Sequence, residues 1–173
     1  MNYLTETYII AQLLAAISFA LTAVGPQMKT RKQMLIIFGL ANIFSSVHFW
    51  LLGAVAGSII VMIAAIRFFV FTVSTAKIWL YLIFVFNAIA LLYSSEGFFL
   101  GLLAYIAAGL VTVAAYSQHN HWFRIIIIAG MSVWLFYDIF IGSIVASLED
   151  VFFLASSVFG YIRHRKIVWS VVK

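Results

Sequence analysis

Seven runs of apolar residues follow one another along this chain, at about 8–24, 33–52, 54–74, 78–93, 98–116, 124–141 and 144–162, with only short polar breaks between them. A helix that crosses the hydrocarbon core of a bilayer needs about 20 such residues, so seven spans take roughly 140. In a chain of 173 residues that leaves no room for a separate soluble domain. The residue balance points the same way. The chain is 66% hydrophobic and 9% charged, whereas a soluble domain carries about 25% charged residues to cover its surface. The runs are too long for strands and lack strict alternation, which argues against a transmembrane barrel. The expected fold class is therefore an all-α integral membrane protein with seven transmembrane helices in a single transmembrane domain, and the expected environment is the lipid bilayer.

The basic residues give an orientation. With seven spans, alternate connections share a side. One side then receives nine of the ten Lys and Arg: Lys29, Arg31, Lys32, Lys77, Arg124 and the cluster Arg163, Arg165, Lys166 and Lys173. The other side receives Glu6 and Glu96 and no basic residue. Connections rich in Lys and Arg stay cytoplasmic, so the N-terminus is expected outside and the C-terminus inside. The first residues carry no basic side chain, unlike the start of a cleavable signal peptide, and the first run reads as a retained helix. The net charge of +5 therefore reflects topology and gives no reason to expect a nucleic-acid partner.

A register that lays Gly53 on Gly142 and Ser58 on Ser147 also lays Leu13, Leu14, Ala15, Ile17 and Leu21 on Leu102, Leu103, Ala104, Ile106 and Leu110. In that register two units of helix, polar loop, helix, glycine turn and helix coincide. They cover 8–74 and 97–163, with a linker helix within 75–96 and a cytoplasmic tail at 164–173. The expected architecture is thus two parallel three-helix bundles joined by a linker helix, related by an axis along the membrane normal.

Ionisable side chains inside spans cost about 2.5–3.5 kcal/mol each at a helix centre and so mark candidate sites. Five qualify: His48, Arg67, Asp138, Glu149 and Asp150. Arg67 lies roughly 10 Å by helical rise from the cytoplasmic end. Its side chain either snorkels to the headgroups or turns inward. Ile60, Ala64 and Arg67 share one helical face, and Glu149, Phe153 and Ser156 share the equivalent face of the other unit. If the units pack by pseudo-symmetry, Arg67 and Glu149 bracket a central polar cavity; the bland alternative is that both only stabilise packing. Asp150 is about 100° round the helix from Glu149, so one of the two carboxyls is expected at the outer interface. The candidate substrate-binding residues are accordingly Arg67, Glu149, Ser156, His48 and Asp138, although for His48 an ordinary structural role is the simpler reading. Trp50 and Trp134 are the aromatic residues singled out as possible cavity lining.

No catalytic set, metal site or cofactor is expected. There is no cysteine, His119 and His121 lack further ligands nearby and read as part of a solvated loop, and no nucleophile–base pair is visible. Small residues at i, i+4 spacing, as in Gly53/Gly57 and Ala104/Ala108, suit close helix packing and leave a homo-oligomeric seam open.

With these residues in view, the chain resembles the YgjV-like bacterial inner-membrane family over nearly its whole length. The resemblance rests on Ala11-Gln12, the basic 29–32 loop, Val47-His48-Phe49-Trp50-Leu51-Leu52-Gly53, Ala65-Ile66-Arg67, Trp134, Gly142-Ser143-Ile144 and Glu149. Ala64 and Asp138 depart from it, standing where the family commonly has an amide. The resemblance implies a bacterial inner-membrane location and brings no activity with it. More distantly, the layout is similar to SWEET-type sugar transporters and PQ-loop proteins, and Pro26-Gln27 is similar to the PQ dipeptide. Two functions from different classes follow: a transporter or facilitator of an unknown small-molecule substrate, or a non-transporting assembly or sensory partner of other membrane proteins. An enzyme is not expected.

Overall fold

The computed structural model describes residues 2–52, 55–92, 98–141 and 144–170, with side chains over 6–52, 58–89, 98–140 and 147–164. The expected turns at Gly53 and Gly142, and Glu96, lie outside the described residues. Among the described residues there are seven α-helices: α1 (Asn2–Val24), α2 (Arg31–Leu51), α3 (Val55–Val73), α4 (Lys77–Leu92), α5 (Phe98–Tyr116), α6 (Asn120–Ile141) and α7 (Ile144–Ser170). α1, α2, α5 and α6 are long and apolar enough to cross a membrane; α3 and α4 contain shorter apolar stretches, Ser58–Val73 and Lys77–Ile89.

Local sequence explains the boundaries at one end of the bundle. α1 stops at Gly25-Pro26-Gln27, a 3-10 turn with proline in its first positions, after which Met28 is extended. Proline has no N–H to continue a helix but suits the start of a new turn. α2 then begins at a capping box: the Gln33 N–H donates to the Thr30 hydroxyl, and the Thr30 N–H donates to the Gln33 side-chain carbonyl. Each bond satisfies a backbone or side-chain group that the first turn leaves open. The last element is longer than expected. α7 runs on through Arg163 and His164 to Ser170, so the segment read as a tail begins as helix. α6 begins four residues before Arg124, at Asn120, and takes His121 into its first turn.

Burial is arranged for lipid. The outward faces carry large apolar side chains such as Ile10, Leu13, Ile59, Phe98, Phe140 and Phe159, all exposed, while Ser18, Ser46, Thr112, Arg124, Asp150 and His164 are buried. Water would reward the opposite arrangement. A bilayer accepts it provided that the polar groups find partners inside.

α2 packs between α1 and α3, and α6 packs between α5 and α7, with α4 against α5. Hydroxyl bonds join the first group. Ser18 donates to the Ala41 carbonyl at 2.8 Å and pairs with Ser45, and Ser46 donates to the Ser58 carbonyl at 2.9 Å. α2 and α3 approach closely at Gly39, where a Cβ would meet the Phe69 ring at 2.7 Å. Between the two groups, α1 contacts α7 and α3 contacts α5.

Two buried or half-buried arginines tie one end of this assembly together. Arg31, opening α2, donates to the carbonyls of Phe71 and Ala115, near the last turns of α3 and α5. Arg124, in α6, donates to the carbonyls of Pro26 (2.8 Å) and Met28. A cation at helix C-termini meets carbonyls that the helix itself leaves unpaired. Asn120 donates to the Lys29 carbonyl and Gln118 to Thr75, so the polar connections of both groups meet at the same end. The proline turn is docked against α7: Gln27 donates to Ser156, and the His164 ring donates to the Gln27 carbonyl at 2.9 Å. A Cβ on Gly160 would lie 2.2 Å from the Pro26 carbonyl oxygen. Backbone stands opposite backbone there, and neither side can turn aside. Gly160→Val is therefore expected to abolish accumulation of folded protein, as read by size-exclusion profiles of detergent extracts, whereas Gly109→Ala, facing a movable Phe84 ring at 3.1 Å, is expected to be tolerated.

A central cavity lined by Arg67 and three carboxyl groups

The apolar core is concentrated towards the end tied by the arginines. Met34, Leu35, Phe71, Ala114, Ala115 and Phe123 are almost fully buried there, and Phe38, Phe68, Val111, Ile127 and Phe153 complete the same cluster. Beyond this floor the two groups separate around a cavity of about 380 Å³, into which Phe38, Phe68, Val111, Ile127 and Phe153 project from the floor.

Among the described residues, every helix except α4 contributes to its lining. α1 brings Ser18 and Thr22, α2 brings Asn42 and Ser45, and α3 brings Ile60, Ala64 and Arg67. From the second group α6 brings Met131, Trp134 and Asp138, and α7 brings Glu149, Asp150 and Phe153. Helical spacing accounts for these sets. Residues three, four and seven apart lie on one face, so Ile60, Ala64 and Arg67 form one column, and Met131, Trp134 and Asp138 form another.

Arg67 turns into the bundle at the floor. One terminal nitrogen donates to the Thr112 hydroxyl of α5 at 3.3 Å, and Thr112 in turn donates to the Ala108 carbonyl at 2.7 Å. The guanidinium carbon lies 4.9 Å from the centre of the Phe68 ring. Its Nε is buried and has no hydrogen-bond partner. Towards the opposite end stand the carboxyl groups. Asp138 lies one turn from the end of α6, and Glu149 and Asp150 lie in the second turn of α7. Asp138 on α6 and Asp150 on α7 both line the cavity. Asp150 is 7% exposed, and its Oδ2 is without a partner. The three do not converge as a metal-ligand set, and no such set occurs among the described residues.

Of the five residues singled out from sequence, Arg67, Asp138 and Glu149 line this cavity. His48 and Ser156 do not. The His48 Nδ1–H donates to the Ala11 carbonyl at 2.8 Å, tying α2 to α1. Ser156 is on the same side of α7 as Glu149, but one turn below Phe153 the space is occupied by Gln27 of the proline turn. Its hydroxyl donates to the Ala23 carbonyl. Three further expectations are corrected. Glu149 and Asp150 both reach the cavity, which is wide enough to receive two adjacent positions of α7. His121 is buried beside Tyr161 at 3.4 Å and is not part of a solvated loop. Trp50 is 60% exposed, on the outside of the bundle. The polar wall of Ser18, Asn42 and Ser45 went unremarked in the sequence. Its signal is the i, i+3 pair Asn42/Ser45 inside an apolar run.

A helical bundle with lipid-suited faces outside and a polar cavity between two helix groups defines the chain as a polytopic membrane protein. Comparison with known proteins refines this: the profile of the bacterial inner membrane protein family Imp-YgjV matches residues 9–167. The chain belongs to that family. No curated protein matches the chain, and neither does any solved structure.

Proposed function

We propose that the protein carries a small solute across the bacterial inner membrane through this cavity. All seven helices then span the bilayer, with the N-terminus outside and the C-terminus in the cytoplasm. α1–α3 and α5–α7 act as two units of like orientation joined by α4. Reciprocal contacts support that pairing, since α1 meets α7 as α5 meets α3. The carrying observation is the cavity itself: about 380 Å³ with Arg67 and three carboxyls on its wall. A bundle built only for packing would fill such a space with apolar side chains, because each charge held at that depth costs several kcal/mol. In the proposed orientation the floor and the arginine ties close the cytoplasmic end, and the carboxyls lie towards the outside.

Uptake into proteoliposomes tests the reading. A mixed pool of small metabolites should enter vesicles carrying the protein faster than empty ones, and Arg67→Ala should remove the difference. Equal uptake by both kinds of vesicle across the pool would overturn it. Orientation is tested separately with single cysteines, which the native chain lacks. A membrane-impermeant maleimide applied to intact cells should label Glu96→Cys and spare Lys77→Cys. The reverse pattern would invert the topology.

A further inference from the structure

The carboxyl end of the cavity carries more chemistry than a generic polar lining. Asp138, Glu149 and Asp150 present three acidic groups to one space, and among the described residues Arg67 is the only Lys or Arg lining it. Arg67 is engaged with Thr112 at the floor. Acidic groups thus outnumber the basic one. Asp150, one of the lining residues, is 7% exposed, and its buried Oδ2 has no hydrogen-bond partner. An acceptor buried in that way has a strong demand for a donor or a positive charge.

The shape of the cluster decides which cation. The groups do not gather as ligands around a metal ion; they are spread over two helices around a larger volume. Trp134 lies one turn from Asp138 on the same face of α6, and its ring is braced edge-on by Tyr137 at 5.2 Å. An indole face beside acidic groups suits a cation with an apolar body, through cation–π attraction and burial together. Met131, a further turn along, continues the apolar strip towards the floor.

We propose that this end of the cavity is a binding site for a small organic ammonium ion, its N–H groups donating to the carboxyl groups of Asp138, Glu149 and Asp150 and its apolar body lying against Trp134. As the identity of a carried solute this rests on the carrier reading; as a binding site it stands without it.

The test is direct binding to the purified full-length protein in lipid nanodiscs, by calorimetric titration with three probes of matched size: benzylammonium, benzyl alcohol and benzoate. Benzylammonium should bind saturably and the other two should not. Glu149→Gln should weaken that binding by roughly tenfold or more, the usual scale for one charge-assisted hydrogen bond. Trp134→Leu should weaken it several-fold, and Trp134→Phe less. Glu149 is only half-buried, so its amide variant keeps the test open where Asp150→Asn fails to fold. Binding of the alcohol or of benzoate as tightly as benzylammonium would overturn the proposal, and so would benzylammonium binding indifferent to both Glu149→Gln and Trp134→Leu. Saturable ammonium binding with no uptake by proteoliposomes would support the site while overturning the carrier reading. Uptake of an anionic or neutral solute with no ammonium binding would do the reverse.

Discussion

Arg124→Ala is expected to lower the thermal midpoint in a fixed detergent more than removal of any other arginine outside the cavity. The guanidinium is 2% exposed and donates to the carbonyls of Pro26 and Met28, both in the turn that ends α1. Each buried carbonyl left without a donor costs about 1–3 kcal/mol, so the pair amounts to roughly 2–6 kcal/mol. The loss also loosens the proline turn, which α7 holds through Ser156 and His164. Arg124→Lys should recover only part, because an ammonium on a flexible stem lacks the planar fork that reaches two acceptors at once. Arg163→Ala, at an exposed position on α7, should stay within about 0.5 kcal/mol of the parent. A midpoint for Arg124→Ala matching that of Arg163→Ala would remove the tie from any account of how this end is held closed.

Arg124 also marks where sequence reading runs out. An arginine next to a polar connection looks the same whether it meets headgroups or turns inward to carbonyls, since both readings need only a position near a helix end. What separates them is the partner, and the partner here is backbone of the Gly25-Pro26-Gln27 turn, almost a hundred residues earlier in the chain. Backbone acceptors leave no mark in side-chain identity. The same reason hid the role of Ser156, whose placement beside Glu149 followed from spacing alone; spacing fixes the face of a helix but not what fills the space opposite. His48 was similarly ambiguous, its imidazole near a helix end serving a carbonyl of α1. By contrast, the columns containing Arg67 and Glu149 were legible. An apolar run tolerates few charges, so the exceptions stand out, and helical periodicity names their neighbours: Ile60, Ala64 and Phe153 all line the cavity with them. Asp150 escapes a reading by spacing, because a narrow contact between helices admits only one of two adjacent positions. A cavity receives a wider arc of each helix than a packed interface does.

Arg67→Ala is expected to abolish transport through the cavity and to destabilise the protein, and the structure says with which partner it should be coupled. Spacing alone suggested Glu149. Its hydrogen bond is with Thr112, whose hydroxyl accepts from Arg67 and donates onward to Ala108. The bond crosses from α3 to α5 and so joins the two helix groups at the floor of the cavity. Removing the arginine leaves the hydroxyl bound only to its own helix; replacing Thr112 by Val leaves the guanidinium with another unpaired donor besides Nε, already without a partner. The two losses overlap, so Arg67→Ala with Thr112→Val should cost less than the single changes summed, by about 0.5–1.5 kcal/mol, the net scale of one hydrogen bond. Arg67→Ala with Glu149→Gln should be closer to additive, as expected of groups without a shared contact. Thermal midpoints of the four proteins in each cycle, measured in one detergent, decide between them. A larger coupling with Glu149 than with Thr112 would mean that the guanidinium reaches across the cavity in the membrane, and that the floor bond is not what holds α3 to α5. Arg67→Lys refines the outcome. It keeps the charge but not the fork, so transport surviving in Arg67→Lys would assign the residue's role to its charge, and transport lost in it would assign that role to the geometry of the guanidinium at Thr112.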